Sequence, residues 1–147
     1  MRTMTRERLA SIARYVGALS LLAAGAVHLQ QYYAVYYRVI PTIGPLFVAN
    51  FVIAVVLGVV LLVPVGRRMP QLHDLAAIGG ILFAAGTIIA LEISESRTLF
   101  GFHEHGYRAA IVVSIVVEAA AIVSLAAYLV SSRTSGSARR NQLAAAS

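Results

Sequence analysis

The sequence predicts an all-α integral membrane protein, a four-transmembrane-helix bundle with both termini cytoplasmic. Three observations carry that prediction. The chain of 147 residues is 59% hydrophobic and only 12% charged, against about a quarter charged in ordinary soluble domains. It holds four runs long and apolar enough to span a bilayer, which takes about 20 residues. Its arginines crowd one side of those runs. A water-soluble chain this short could not hide so much apolar surface, because small domains bury only about two-thirds of what the unfolded chain exposes.

The four spans are expected over about residues 12–33, 45–65, 75–93 and 109–130, forming a single transmembrane domain over 1–130. No period-two alternation or hairpin signal points to a barrel. Arginine sets the orientation. Arg2, Arg6, Arg8, Arg14, Arg67, Arg68, Arg133, Arg139 and Arg140 fall on one side, and Arg38, Arg97 and Arg108 on the other. Positive loops stay in the cytoplasm, so segments 32–44 and 94–108 are expected outside, in a multi-pass protein of the cell (plasma) membrane. Residues 131–147 read as a disordered basic cytoplasmic tail whose arginines could touch anionic lipid heads. A charged start, an apolar core and Ala24-Gly25-Ala26 also resemble a signal peptide with its cleavage site. The apolar stretch continues past that site, so the first helix is expected to be retained.

Composition removes several function classes. Cysteine is absent, which excludes disulfides, thiolate metal sites and the disulfide-forming four-helix enzymes of membranes. The net charge of +6 would suggest nucleic acid in a soluble protein, but topology accounts for the arginines, and no nucleic-acid partner is expected. All twelve basic residues are arginine, as in a GC-rich genome such as an actinobacterium's. No nucleophile–base pair, phosphate loop or cofactor fingerprint appears, so catalysis is not expected and no catalytic residue is assigned.

The first span ends in the polar run VHLQQYYAVYYRVIP, residues 27–41. Tyr32, Tyr33, Tyr36 and Tyr37 are expected to share one side of a helical continuation and to anchor it at the membrane interface, where an apolar ring with a polar tip is favoured. His28 lies about five residues inside the outer end of its span. Asn50, Thr87 and Ser114 lie at similar depths in the other three, and Glu118 sits one turn deeper on the face of Ser114. A mid-span carboxylate costs about 2.5–3.5 kcal/mol even on a lenient insertion scale. Glu118 should therefore face the bundle interior and pair, with His28 or Asn50 as the expected partner. These five residues are the ligand-binding or proton-linked candidates. His103 and His105, with Glu92 nearby, form a weaker metal candidate, since two histidines two apart on an irregular loop are usually solvated. His73 and Asp74 read as the start of the third helix, with Asp74 as its cap.

The run HLQQYYAVYYRVIPTIGPLFVANFV, followed by FGFHE and an apolar helix carrying Glu118, resembles small four-helix membrane proteins of actinobacteria that share the general form of DoxX-like proteins. The resemblance spans about residues 16–130. It implies a four-helix fold and a membrane location, and no particular activity. Small multidrug exporters carry their membrane glutamate in the first helix, whereas here it is in the fourth.

The expected function is that of a non-enzymatic accessory or small-ligand-binding bundle with a polar pocket open to the extracytoplasmic side. One alternative is a haem- or metal-linked redox component using His28 with His103 or His105. Another is a proton-coupled carrier using Glu118. No cofactor is expected under the first reading, and haem or a metal under the second. The expected partners are the lipid bilayer and a larger membrane complex or further copies of the chain.

Overall fold

The computed structural model describes residues 2–64, 69–104, 106 and 108–145. It is all-helical, with α1 over Arg2–Ala34, α2 over Ile43–Leu62, α3 over Pro70–Ser96 and α4 over Ala109–Ala145. All four are long and apolar enough to cross a membrane, and there is no strand among the described residues. The helices fall on the four expected spans; α2 begins two residues earlier than expected and ends at Leu62, and the other three run further. α1 starts well before residue 12, and α3 extends beyond 75–93 at both ends. α4 continues to Ala145, where a disordered tail was expected. The alanine, arginine, glutamine and leucine that follow Val130 are good helix formers that favour such continuation. Arg67, Arg68 and His105 lie outside the described residues.

The cap of α3 differs from expectation. Met69 is its N-cap and Pro70 opens the helix, since the fixed φ of proline suits the first helical position. Asp74 is therefore inside the helix, where it accepts a hydrogen bond from the Tyr128 hydroxyl at 3.0 Å.

The helices form a ring in chain order, with α1 packed most closely against α2 and α4. Small residues make the α1–α2 approach possible. A Cβ built on Gly25 would lie 2.9 Å from the Ala54 methyl, and one on Gly58 would lie 2.8 Å from Leu22 and 3.2 Å from the Ala18 carbonyl. One half of the bundle is a tight apolar core in which Ala18, Leu21, Leu61, Ala77, Ala121 and Leu125 are fully buried. The outward faces stay apolar, as at Leu19, Ile89 and Val123.

A buried polar cluster closes this packed end. Arg14 donates to the Leu61 carbonyl and His73 Nε2 donates to the Val63 carbonyl at 2.9 Å. Leu61 lies in the last turn of α2 and Val63 is its C-cap, where carbonyls lack helical partners. Because Nε2 holds its hydrogen toward Val63, the 3.5 Å approach of Arg14 Nη1 sets two donors side by side and is not a hydrogen bond.

The glycine packing makes a direct prediction. Gly25→Leu should lower the melting temperature of the detergent-purified protein, with a loss on the order of the 1–3 kcal/mol of an overpacked core. Gly86→Ala, whose new Cβ meets nothing within 4 Å, should leave melting nearly unchanged. A Gly25→Leu protein melting with the wild type would refute this account of the α1–α2 contact.

Candidate functional site

The other half of the bundle, next to the α1–α2 and α3–α4 connections, contains a cavity of about 340 Å³. That volume falls within the usual range for small-molecule sites. His28 of α1, Asn50 of α2, Thr87 of α3, and Ser114 and Glu118 of α4 all line it. All five ligand-binding or proton-linked candidates therefore meet at one place, and Phe47, Leu82, Phe83 and Phe102 supply apolar wall between them.

Helix geometry explains the convergence. Ser114 and Glu118 are one turn apart, and the Ser114 hydroxyl donates to Glu118 Oε1 at 3.3 Å. Thr87 lies beside the same carboxyl, although its hydroxyl also turns back to the Ala84 carbonyl at 2.9 Å. Glu118 is only 2% exposed. Its Oε1 lies 3.9 Å from His28 Nε2.

The histidine tautomer follows from its other nitrogen. His28 Nδ1 lies 2.8 Å from the Ala24 carbonyl, which can only accept, so Nδ1 carries hydrogen. In the neutral ring Nε2 is then an acceptor. It faces the Glu118 carboxyl across a gap too wide for a direct hydrogen bond. The imidazole is held between Phe47 and Phe83, with ring centroids at 5.4 and 6.4 Å.

Two parts of the site escaped the sequence reading. The first is Gln31, one turn along α1 from His28 and 5% exposed. Its Nε2 donates to Gln30 Oε1. Its Oε1 is buried without a hydrogen-bond partner among the described residues. The i, i+3 spacing from His28 was the available signal.

The second is a clasp at the loop end. α1 stops at Ala34, and Tyr36 takes a left-handed conformation with φ 61°. The chain then enters a 3-10 turn over Tyr37–Val39 that carries Tyr37 inward. The Tyr37 hydroxyl donates to Glu104 Oε2 and accepts from Arg108 Nη2. Arg108 also reaches Glu104 Oε2 at 3.1 Å. The Glu104 N–H donates to the Ser94 carbonyl at 3.0 Å. A tight turn at Phe100 and Gly101, both with positive φ, folds Leu99 back on Phe102 and brings Glu104 into position. The four tyrosines thus do not share one helical face. Tyr33 and Tyr36 are exposed and Tyr32 is half-buried, as anchors could be, while Tyr37 lines the cavity.

Of the metal candidates, only His103 and Glu92 are among the described residues. His103 and Glu92 are exposed and neither lines the cavity. Among the described residues no three His, Asp or Glu side chains gather as a metal site would need. His28 faces Glu118 inside the bundle.

Burial and the hydrogen bond to Glu104 push the Tyr37 hydroxyl pKa well above the ordinary tyrosine value. A raised folded-state pKa contributes stability that is complete below the unfolded value of about 10 and fades as pH rises beyond it. Tyr37→Phe should therefore cost about 1 kcal/mol, discounted from the range for charged hydrogen bonds because Arg108 is over a third open to solvent. The melting difference from wild type should stay constant below about pH 10 and shrink above it. Melting curves at stepped pH would check this, and a difference that grew with alkalinity would contradict the clasp.

No protein-family model, no curated protein and no solved structure matches this chain.

Proposed function

We propose that this chain is a four-span protein of the cell membrane that binds a small, mostly apolar ligand in the cavity, with both termini cytoplasmic and the cavity toward the extracytoplasmic face. One observation carries the binding reading. Five polar residues from four different helices converge on one cavity whose remaining walls are largely apolar. Convergent polar groups in an apolar pocket are the usual signature of a ligand site. The apolar exteriors of the helices support the bilayer location, and the arginine imbalance supports the orientation.

The packed half supports binding over carrying. A proton-coupled carrier built on Glu118 would need a second opening beyond the cavity. There, Ala18, Leu21, Leu61 and Leu125 are fully buried, and Arg14 and His73 are hydrogen-bonded to the end of α2.

An aminoanthracene dye, a compact apolar tricycle with one amine, tests the binding reading in zwitterionic nanodiscs. Its fluorescence should rise above that of protein-free discs and saturate. Ser114→Phe should abolish the saturable part while gel-filtration behaviour is unchanged, because the Ser114 side chain points at Glu118. Wild-type fluorescence no higher than in protein-free discs would reject the reading. Reporter fusions test the orientation. Those after Arg68 and Arg133 should report cytoplasmic, and one at Phe100 external. A cytoplasmic report at Phe100 would reverse the topology.

A further inference from the structure

The cavity presents a set of hydrogen-bond acceptors that face inward and are incompletely matched. His28 Nε2 is an acceptor because Nδ1–H is committed to Ala24. Across 3.9 Å stands Glu118 Oε1, and an ionised carboxylate is acceptor-only. One turn along α1 from His28, Gln31 Oε1 is buried without a partner among the described residues. A proton on Glu118 could serve one acceptor but would leave Gln31 unmatched. Burying an acceptor without a donor costs on the order of 1–3 kcal/mol, so this end of the cavity is chemically incomplete by itself.

The charges point the same way. Among the described residues two carboxylates, Glu118 and Glu104, line the cavity, and no arginine or lysine does. Glu104 is balanced by Arg108 at 3.1 Å, whereas Glu118 has no arginine beside it among the described residues, only the Ser114 hydroxyl at 3.3 Å and the His28 ring at 3.9 Å. The walls are rich in aromatic faces, with Tyr37 and Phe47 at 4.5 Å and Tyr37 edge-on to Phe102 at 5.5 Å. Aromatic faces favour cations and tolerate apolar bodies.

We propose that the cavity takes an apolar primary amine, bound as its ammonium ion, with the three N–H donors directed to Glu118, His28 Nε2 and Gln31 Oε1 and the hydrocarbon body against Phe47, Phe83 and Phe102. A primary ammonium offers three donors and no acceptor, which complements these three acceptors. An alcohol supplies one donor and no charge. A carboxylate would add a further acceptor beside Glu118. This proposal rests on the ligand-binding reading above and specifies its ligand class.

Displacement of the aminoanthracene dye in zwitterionic nanodiscs tests it, with octylammonium, octanol, octanoate and octyltrimethylammonium as competitors and protein-free discs as blanks. Octylammonium should displace the dye at a concentration roughly tenfold or more below that of octanol, as expected for one hydrogen bond to a charged group. Octanoate should compete least, and octyltrimethylammonium, which lacks donors, should fall well short of octylammonium. Glu118→Gln should remove the preference for octylammonium over octanol while octanol competes as before. Gln31→Leu, which should fold even if Glu118→Gln does not, should weaken octylammonium severalfold. Dye binding with octanol or octyltrimethylammonium as effective as octylammonium would overturn the amine assignment and leave the cavity reading standing. Absence of saturable dye binding to the wild type would overturn both.

Discussion

The bundle is organised around one constraint, that Glu118 cannot face outward. It sits in the middle of a helix whose outer face is apolar, and a carboxylate there is costly in any low-dielectric surrounding. Turning Glu118 inward fixes the rotation of α4. Ser114, one turn away, must then face inward as well. The carboxyl needs room and polar neighbours, so His28 and Thr87 are drawn toward it from α1 and α3. A cavity lies beside them. The helices are held together elsewhere, by the glycine-mediated approach of α1 to α2 and by the core around Leu21 and Leu125.

The two ends of the bundle use charge differently. At the packed end Arg14 and His73 spend their donors on the terminal carbonyls of α2, groups that every helix leaves unpaired. A cation beside a helix C-terminus is also favoured by the helix dipole. At the cavity end the charged groups besides Glu118 come from the α3–α4 connection. Glu104 and Arg108 hold Tyr37 between them, and that ties the α1–α2 connection to the α3–α4 connection. The first arrangement completes a secondary structure. The second bridges two loops that share no helix, so it sets the shape of the cavity mouth without adding to the core.

The sequence was informative where the signal was local or periodic. Four apolar runs gave four helices because nothing else satisfies so many backbone groups beside so much apolar side chain. His28, Asn50, Thr87, Ser114 and Glu118 were legible as a set because polar residues at matched depth in apolar helices have few other places to go. What escaped was non-local or depended on chain reversal. Tyr37 read as one of four equivalent tyrosines, and only the left-handed Tyr36 separates it from them. The Glu104–Arg108 pair had a readable i, i+4 spacing, but its third member comes from 67 residues earlier in the chain. Asp74 looked like a cap because it precedes the apolar run, yet Pro70 opens the helix one turn sooner. Gln31 was passed over because glutamine near a helix end is ordinarily solvated.

The residues around the cavity distinguish a binding site from a merely structural polar contact. A bundle that needed Glu118 and His28 only as glue would close around them, because open space beside a side chain forfeits the dispersion contacts that packing supplies. Larger side chains at small positions would close it, yet Gly86, Ala90, Ala110 and Ser114 all line the space, and a side chain started on Gly86 would meet nothing within 4 Å. His28 and Glu118 stop at 3.9 Å instead of closing to hydrogen-bond distance, and Gln31 keeps its oxygen unmatched beside them. Unfilled volume and unfilled hydrogen-bonding capacity thus occur together, in the half of the molecule not occupied by the packed core. An occupant with an apolar body and a donor-rich head would relieve both at once, which is why we place the function there and not at the Arg14–His73 end, where every named donor already has its acceptor.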